Sequence, residues 1–181
     1  VSTYSHQGFA TPNLEALGSW QDDVFSLSSN KLLPAVVTDS NLYLSLSQAA
    51  QQPQAQVCVI KLHPGLHADL LAPLLRAPVQ AIVLETFGSG NAPDQNQTLM
   101  ALLKAANDSG IVIVNRSQCP NGPVSQSYAT GSALAECGVI SAVDMTCEAA
   151  FTKLHCLLQA SLKGDELKQA FKRNHCGEFS V

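Results

Sequence analysis

The residues best placed to do chemistry form the run Gly88-Ser89-Gly90-Asn91-Ala92-Pro93, which lies just after an apolar stretch ending at Glu85. Two glycines let the main chain approach a ligand closely. Pro93 stands where a dinucleotide-binding fingerprint requires glycine, so that chemistry is excluded. Pro93 also occupies a position typical of the first residue of a helix. Two readings stay open for this run: a tight strand-to-helix turn, or a loop that faces a ligand. His63 and His67 have the spacing of a helical metal pair, but Pro64-Gly65 between them forbids a helix. No carboxylate cluster accompanies them, so no metal site is expected. Cys119 could serve as a nucleophile only with a base that the sequence does not place. Followed by Pro120-Asn121-Gly122, it reads as part of a loop over the sheet edge. His6, His155 and His175 stand alone and read as structural or surface residues. Lys153 and Glu148, five residues apart, read as the solvated face of a helix.

Elements must hold these residues in place. From residue 55 onward, short apolar runs alternate with helical periodicity. Val57–Leu62, Ala81–Glu85, Ile111–Val114 and Val139–Val143 read as strands. Helices are expected from about His67 to Arg76, with Pro73 limiting the run, and from Asp94 to Asp108, stopped by Gly110. Others are expected from Tyr128 to Cys137, stopped by Gly138, from an Asp144 cap to about Leu162, and from Asp165 to Lys172. Strands alternating with helices imply an α/β fold, a small parallel sheet with helices on both faces. Ligands of such sheets bind beyond the carboxyl ends of the strands. Those ends carry His63-Pro64-Gly65, Thr86 through Asn91, and Asn115 through Cys119. Residues 1–54 differ, being rich in Ser, Gln, Asn and Pro, with brief apolar runs at 32–37 and 42–46 that suggest one or two strands. Gln51-Gln52-Pro53-Gln54 reads as a linker, which divides the chain into 1–54 and 55–181.

Composition narrows the class. The 181 residues are 46% hydrophobic and 13% charged, which suits a buried core and not a disordered chain. A net charge of -4 with scattered basic residues argues against nucleic-acid binding. No apolar run approaches the roughly 20 residues that span a bilayer, so no membrane partner is expected. The six cysteines show no C-x-x-C pair and read as free thiols of a reducing cytoplasm.

Several blocks, in order, resemble one family. Glu85-Thr86-Phe87-Gly88-Ser89-Gly90-Asn91-Ala92-Pro93 is similar to the signature loop of the C-terminal domain of asparaginases of the bacterial type I class. Asn115 through Gly122, Tyr128-Ala129-Thr130-Gly131, and Gly138-Val139-Ile140 through Asp144-Met145-Thr146 resemble the blocks that follow it. Ala149 through Leu154 and Gly177-Glu178-Phe179 continue the match, and His6 through Leu14 resembles the end of the family's N-terminal domain.

The resemblance implies an amidohydrolase that converts L-asparagine to L-aspartate and ammonia through a threonine nucleophile, without a cofactor. It implies flavodoxin-like layering for 55–181, with 1–54 as the tail of an N-terminal domain. The family's Thr-Gly-Gly-Thr block has no counterpart here, so no catalytic residue is expected in this chain, and the lone Thr38-Asp39 is given no role. Family members form intimate dimers or tetramers, and the asparagine of the loop is lent to the neighbour's site. That implies a substrate-binding role for Asn91, with Gly88, Ser89 and Gly90 as its loop. An effector pocket in some relatives implies a place for Cys119. Those relatives carry an arginine where this chain has Glu85, whose carboxylate would repel an effector's carboxylate. The alternative within the resemblance is an asparaginase-like subunit of a glutamyl-tRNA amidotransferase, or a non-catalytic interaction domain.

Overall fold

A computed structural model of the chain describes residues 15–29, 32, 53–124 and 129–180, with the backbone alone for 129–132. The chain divides into two compact units, Val1–Val36 and Val37–Val181.

The first unit holds a hairpin that the sequence reading did not anticipate. Strands β1 (Gly18–Gln21) and β2 (Val24–Leu27) pair antiparallel, with Trp20 opposite Phe25. The two-residue connection is Asp22-Asp23, with φ of 50° and 62°. Positive φ at both central residues is what a turn matched to the strands' right-handed twist demands, and Asp tolerates it. Gly18, Trp20, Phe25 and Leu27 share one face, on which the Phe25 ring lies over Gly18; a Cβ there would come within 3.1 Å of it. The strands expected within residues 33–46, Thr38-Asp39 and the His6–Leu14 block lie outside the described residues.

The second unit is the α/β domain. Its strands are β3 (Val57–Lys61), β4 (Ala81–Thr86), β5 (Val112–Ser117) and β6 (Ile140–Ser141), all parallel, in the order β3-β4-β5-β6. The helices are α1 (Ala68–Leu71), continued by a 3-10 turn at Ala72–Leu74, then α2 (Gln97–Asp108), α3 (Ala129–Glu136), α4 (Cys147–Gln159) and α5 (Gly164–Phe171). Pro73 sits in the 3-10 turn, where the missing N–H ends α1 after one turn.

Spatial order equals chain order, so each crossover runs the same way round and α1, α2 and α3 fall on one face. The opposite face is covered by α4 and α5. Strand alternation divides the side chains accordingly. Ile82, Leu84 and Ile113 join Leu99, Leu103 and Leu134 in one core. Ala81, Val83, Val112 and Val114 join Leu154, Leu157, Leu167 and Phe171 in the other. Each buried Leu or Ile contributes roughly 1.5–3 kcal/mol. The strand order does not reverse among the described strands, so no switch-point crevice arises, and any binding edge is simply the row of carboxyl ends.

Several boundaries differ from expectation. Pro93 is not the first residue of α2; its carbonyl accepts from the Asn96 N–H in a preceding turn, and Asn96 Oδ1 caps the helix by accepting from Leu99 N at 3.1 Å. Thr146, not Asp144, caps α4, accepting from Ala149 N at 3.2 Å. Asp144 instead accepts from the Ser180 N–H and hydroxyl at 2.8 and 2.6 Å. Strand β5 runs on through Asn115-Arg116-Ser117, because those residues keep the ladder to Leu84, Glu85 and Thr86.

Gly110 and Gly138 do end α2 and α3. In each case the glycine and the residue after it bond back to the last turn (Gly110 N to Asn107 O, Ile111 N to Ala106 O; Gly138 N to Ala135 O, Val139 N to Leu134 O). Both have left-handed φ, 96° and 82°. A Cβ on Gly110 meets nothing within 4 Å, whereas one on Gly138 would lie 2.4 Å from Asn107 Nδ2. Gly110→Ala should therefore cost about 1–2 kcal/mol of backbone strain alone. Gly138→Ala should cost at least about 1 kcal/mol more, because Asn107 must also leave its 2.5 Å bond from Lys168 Nζ. Urea unfolding midpoints of the two variants measure the difference.

Candidate functional site

The carboxyl end of β4 turns back on itself at once. Phe87 and Asn91 form an antiparallel bridge, with Phe87 N donating to Asn91 O at 2.9 Å and Asn91 N to Phe87 O at 2.8 Å. Gly88 and Gly90 take φ of 50° and 106°. At Gly90 the need for glycine is double, since a Cβ would lie 2.6 Å from Val124 Cγ1 and 3.1 Å from Asn115 Nδ2. Gly90 is buried, Ser89 and Asn91 are half-buried, and Gly88 is exposed.

Beneath this turn lie three buried polar side chains, Thr86, Asn115 and Ser117. They extend the alternating rows of β4 and β5 on the α2–α3 face, where Ile82-Leu84-Thr86 and Ile113-Asn115-Ser117 switch from apolar to polar at the carboxyl end. Thr86 Oγ1 donates to Asn115 Oδ1 at 2.6 Å, and Asn115 Nδ2 donates to Gly90 O at 2.9 Å. The Ser117 hydroxyl donates to Gly88 O and accepts from Cys119 N at 2.9 Å. The sequence reading quoted these residues as blocks but assigned them no task; the polar switch at i and i+2 was the available signal.

On the other sheet face, Glu85 and Arg116 are cross-strand partners, joined at 2.9 Å and both largely buried. Arg116 Nε also donates to Met145 O at 3.4 Å. The Glu85 carboxylate expected to repel an anion is thus matched by a guanidinium. Cys147 opens α4 beside this pair. Burial, then the charge of Glu85, push its thiol up, which opposes a thiolate nucleophile. Cys119 is exposed on the turn after β5, and Gln118 Nε2 bridges Leu62 O and Glu85 O at 2.6 and 3.0 Å. All six cysteines are free thiols. His63 and His67 are both exposed, and among the described residues no group of three or more His, Cys, Asp or Glu could hold a metal. No helix among the described residues is long and apolar enough to cross a membrane.

Lys153 corrects an expectation outright. It does not lie on a solvated face but is buried, donating to Glu178 and, at 2.5 Å, to Arg173 O. The rings of Phe171 and Phe179 flank its ammonium at 5.1 and 4.9 Å. Glu178 also accepts from His175 N and Cys176 N. Glu148 is exposed, as expected. Positive charge on a helix periodicity gave no hint of a partner more than twenty residues away in the chain.

Residues 56–171 match the family described as the glutaminase/asparaginase C-terminal domain. L-asparaginase 1 of Escherichia coli K12 is 46% identical over 123 residues, 67% of this chain and 36% of that protein. The 60 kDa lysophospholipase of Homo sapiens is 37% identical over 95% of this chain and 29% of its own length. The crystal structure of L-asparaginase I from Vibrio cholerae superposes with a TM-score of 0.76 at 38% identity, covering 95% of this chain and 50% of that one. The chain thus spans between 29% and 50% of the length of these proteins. With the parallel sheet, its one-way strand order and the glycine-framed turn after β4, the match over most of its length shows that the chain belongs to the glutaminase/asparaginase family through that family's C-terminal domain.

Proposed function

We propose that this chain is the C-terminal part of an L-asparaginase and that it contributes to substrate binding, not to nucleophilic attack. The observation that carries this reading is the Phe87–Asn91 turn, held at the carboxyl edge of the sheet over three buried polar side chains. Asn91 on that turn offers an amide able to donate to a carboxylate and accept from an ammonium group, the two charged groups of asparagine. Ser89 and the backbone of Gly88 and Gly90 frame it. In this reading a threonine upstream attacks the side-chain amide, ammonia leaves, and water releases aspartate from the acyl-threonine. No metal or redox cofactor takes part. The parent is a homodimer or tetramer in which Asn91 serves the neighbouring subunit, and the free thiols support a reducing cytoplasm. Cys119 is the residue that would line an effector pocket, and the position at which such relatives carry an arginine is here Glu85, paired with Arg116, which disfavours a carboxylate effector. The amidotransferase alternative has less support, since identity to L-asparaginase 1 exceeds identity to the amidotransferase subunits.

Ammonia release from asparagine tests the assignment. The 181-residue chain should give none, and a protein carrying the upstream domain as well should turn over. Turnover by the chain alone would place the nucleophile within it and end this reading.

A further inference from the structure

We infer that Thr86, Asn115 and Ser117 are positioning residues that fix the Asn91 turn in its binding geometry; the inference rests on the substrate role proposed for Asn91. Two carbonyls of the turn, Gly88 O and Gly90 O, each accept from one buried donor, Ser117 and Asn115 respectively. An asparagine amide can be flipped, and only one orientation presents Nδ2 to Gly90 O. Gly90 O, which can only accept, selects that orientation, and Thr86 braces it from the other side. The Thr86 hydroxyl donates to Asn115 Oδ1 at 2.6 Å and so holds the amide with its NH2 group toward the turn. The longer alternative acceptor for Thr86, Arg116 O at 3.3 Å, is the weaker one.

All three side chains are at most 5% exposed, so water does not replace a lost bond. They stand on β4 and β5, the two central strands, so the turn takes its position from the most rigid part of the sheet. Hydrogen bonds to the backbone from below fix where the Asn91 amide points.

Thr86→Val keeps the shape of the side chain and removes the hydroxyl; Thr86→Ser keeps the hydroxyl. In the 181-residue chain, amide hydrogen exchange at Gly90 and Asn91 should quicken on the order of ten-fold in Thr86→Val relative to β4 and α2 amides, and return toward normal in Thr86→Ser. Ser117→Ala should act like Thr86→Val. In the protein that includes the upstream domain, the same variants should raise KM for asparagine several-fold more than they lower kcat. Exchange that is unchanged at the turn, or that rises equally throughout the sheet, would overturn the positioning role. Asn91→Ala with an unaltered KM, beside a turn loosened by Thr86→Val, would instead defeat the substrate role of Asn91.

Discussion

Replacing Lys153 by methionine should lower the unfolding free energy of the chain by about 3–5 kcal/mol, measured by urea denaturation. Methionine nearly conserves the volume between Phe171 and Phe179, so the cost is electrical. It strands the Glu178 carboxylate, whose side chain is 9% exposed, without its cation. The loss is large against the roughly 5–15 kcal/mol that holds a typical domain together. The double variant Lys153→Met/Glu178→Leu should recover most of it, because the pair also carries a desolvation cost that an apolar pair avoids. The two partners are unequal in this respect. Burial draws the Lys153 ammonium below the usual lysine value, outweighing the pull of Glu178. Burial also pushes Glu178 upward, but the Lys153 ammonium and the N–H groups of Cys176 and His175 outweigh it and hold the carboxyl at about 2. Both directions hold together because Glu178 collects backbone donors that give nothing to Lys153. A carboxyl depressed in the folded chain gives stability that is full above its unfolded value, near 4.5, and lost as pH falls toward 2. The wild-type chain should thus lose on the order of 3 kcal/mol between pH 5 and pH 2 through this group, and the double variant should not.

In the protein with its upstream domain, Asn91→Ala should reduce kcat/KM for asparagine by about 100-fold, the loss of one or two hydrogen bonds to charged groups. A mixing experiment shows which subunit the residue serves. Subunits carrying Asn91→Ala are combined with subunits whose nucleophilic threonine is removed. If Asn91 reaches across the dimer, each mixed dimer assembles one site with both groups, and random association should restore about a quarter of the wild-type activity. If Asn91 serves its own subunit, no site contains both and nothing is restored.

Much of this was legible in the residues, and the limits have physical causes. Among the described residues of the second unit, the four strands and five helical segments follow from unbroken apolar runs, helical periodicity and glycine stops, since Gly110 and Gly138 end helices by a local backbone rule. Boundaries drifted where two residues could do the same job: Asp144 and Thr146 can both cap a helix, and only Ser180, brought back from the end of the chain, decided between them. The β1–β2 hairpin was missed because Asp22-Asp23 is a weaker turn signal than a pair containing glycine. Lys153 was misassigned because its burial depends on Glu178, Phe171 and Phe179, none of which its own helix contains. The turn at 87–91 was legible from its glycines, whereas its underpinning needs the register that sets Thr86 beside Ser117.

Because the sheet is laid down in chain order, a nascent polypeptide leaving the ribosome can add β3, β4, β5 and β6 one after another, each to a neighbour already made. Only one side of that growing sheet is roofed as it forms. Ala81, Val83, Val112 and Val114 stay wet until the segment from Cys147 to Phe171 emerges and packs on them, and an apolar sheet face left open in that interval is prone to aggregate.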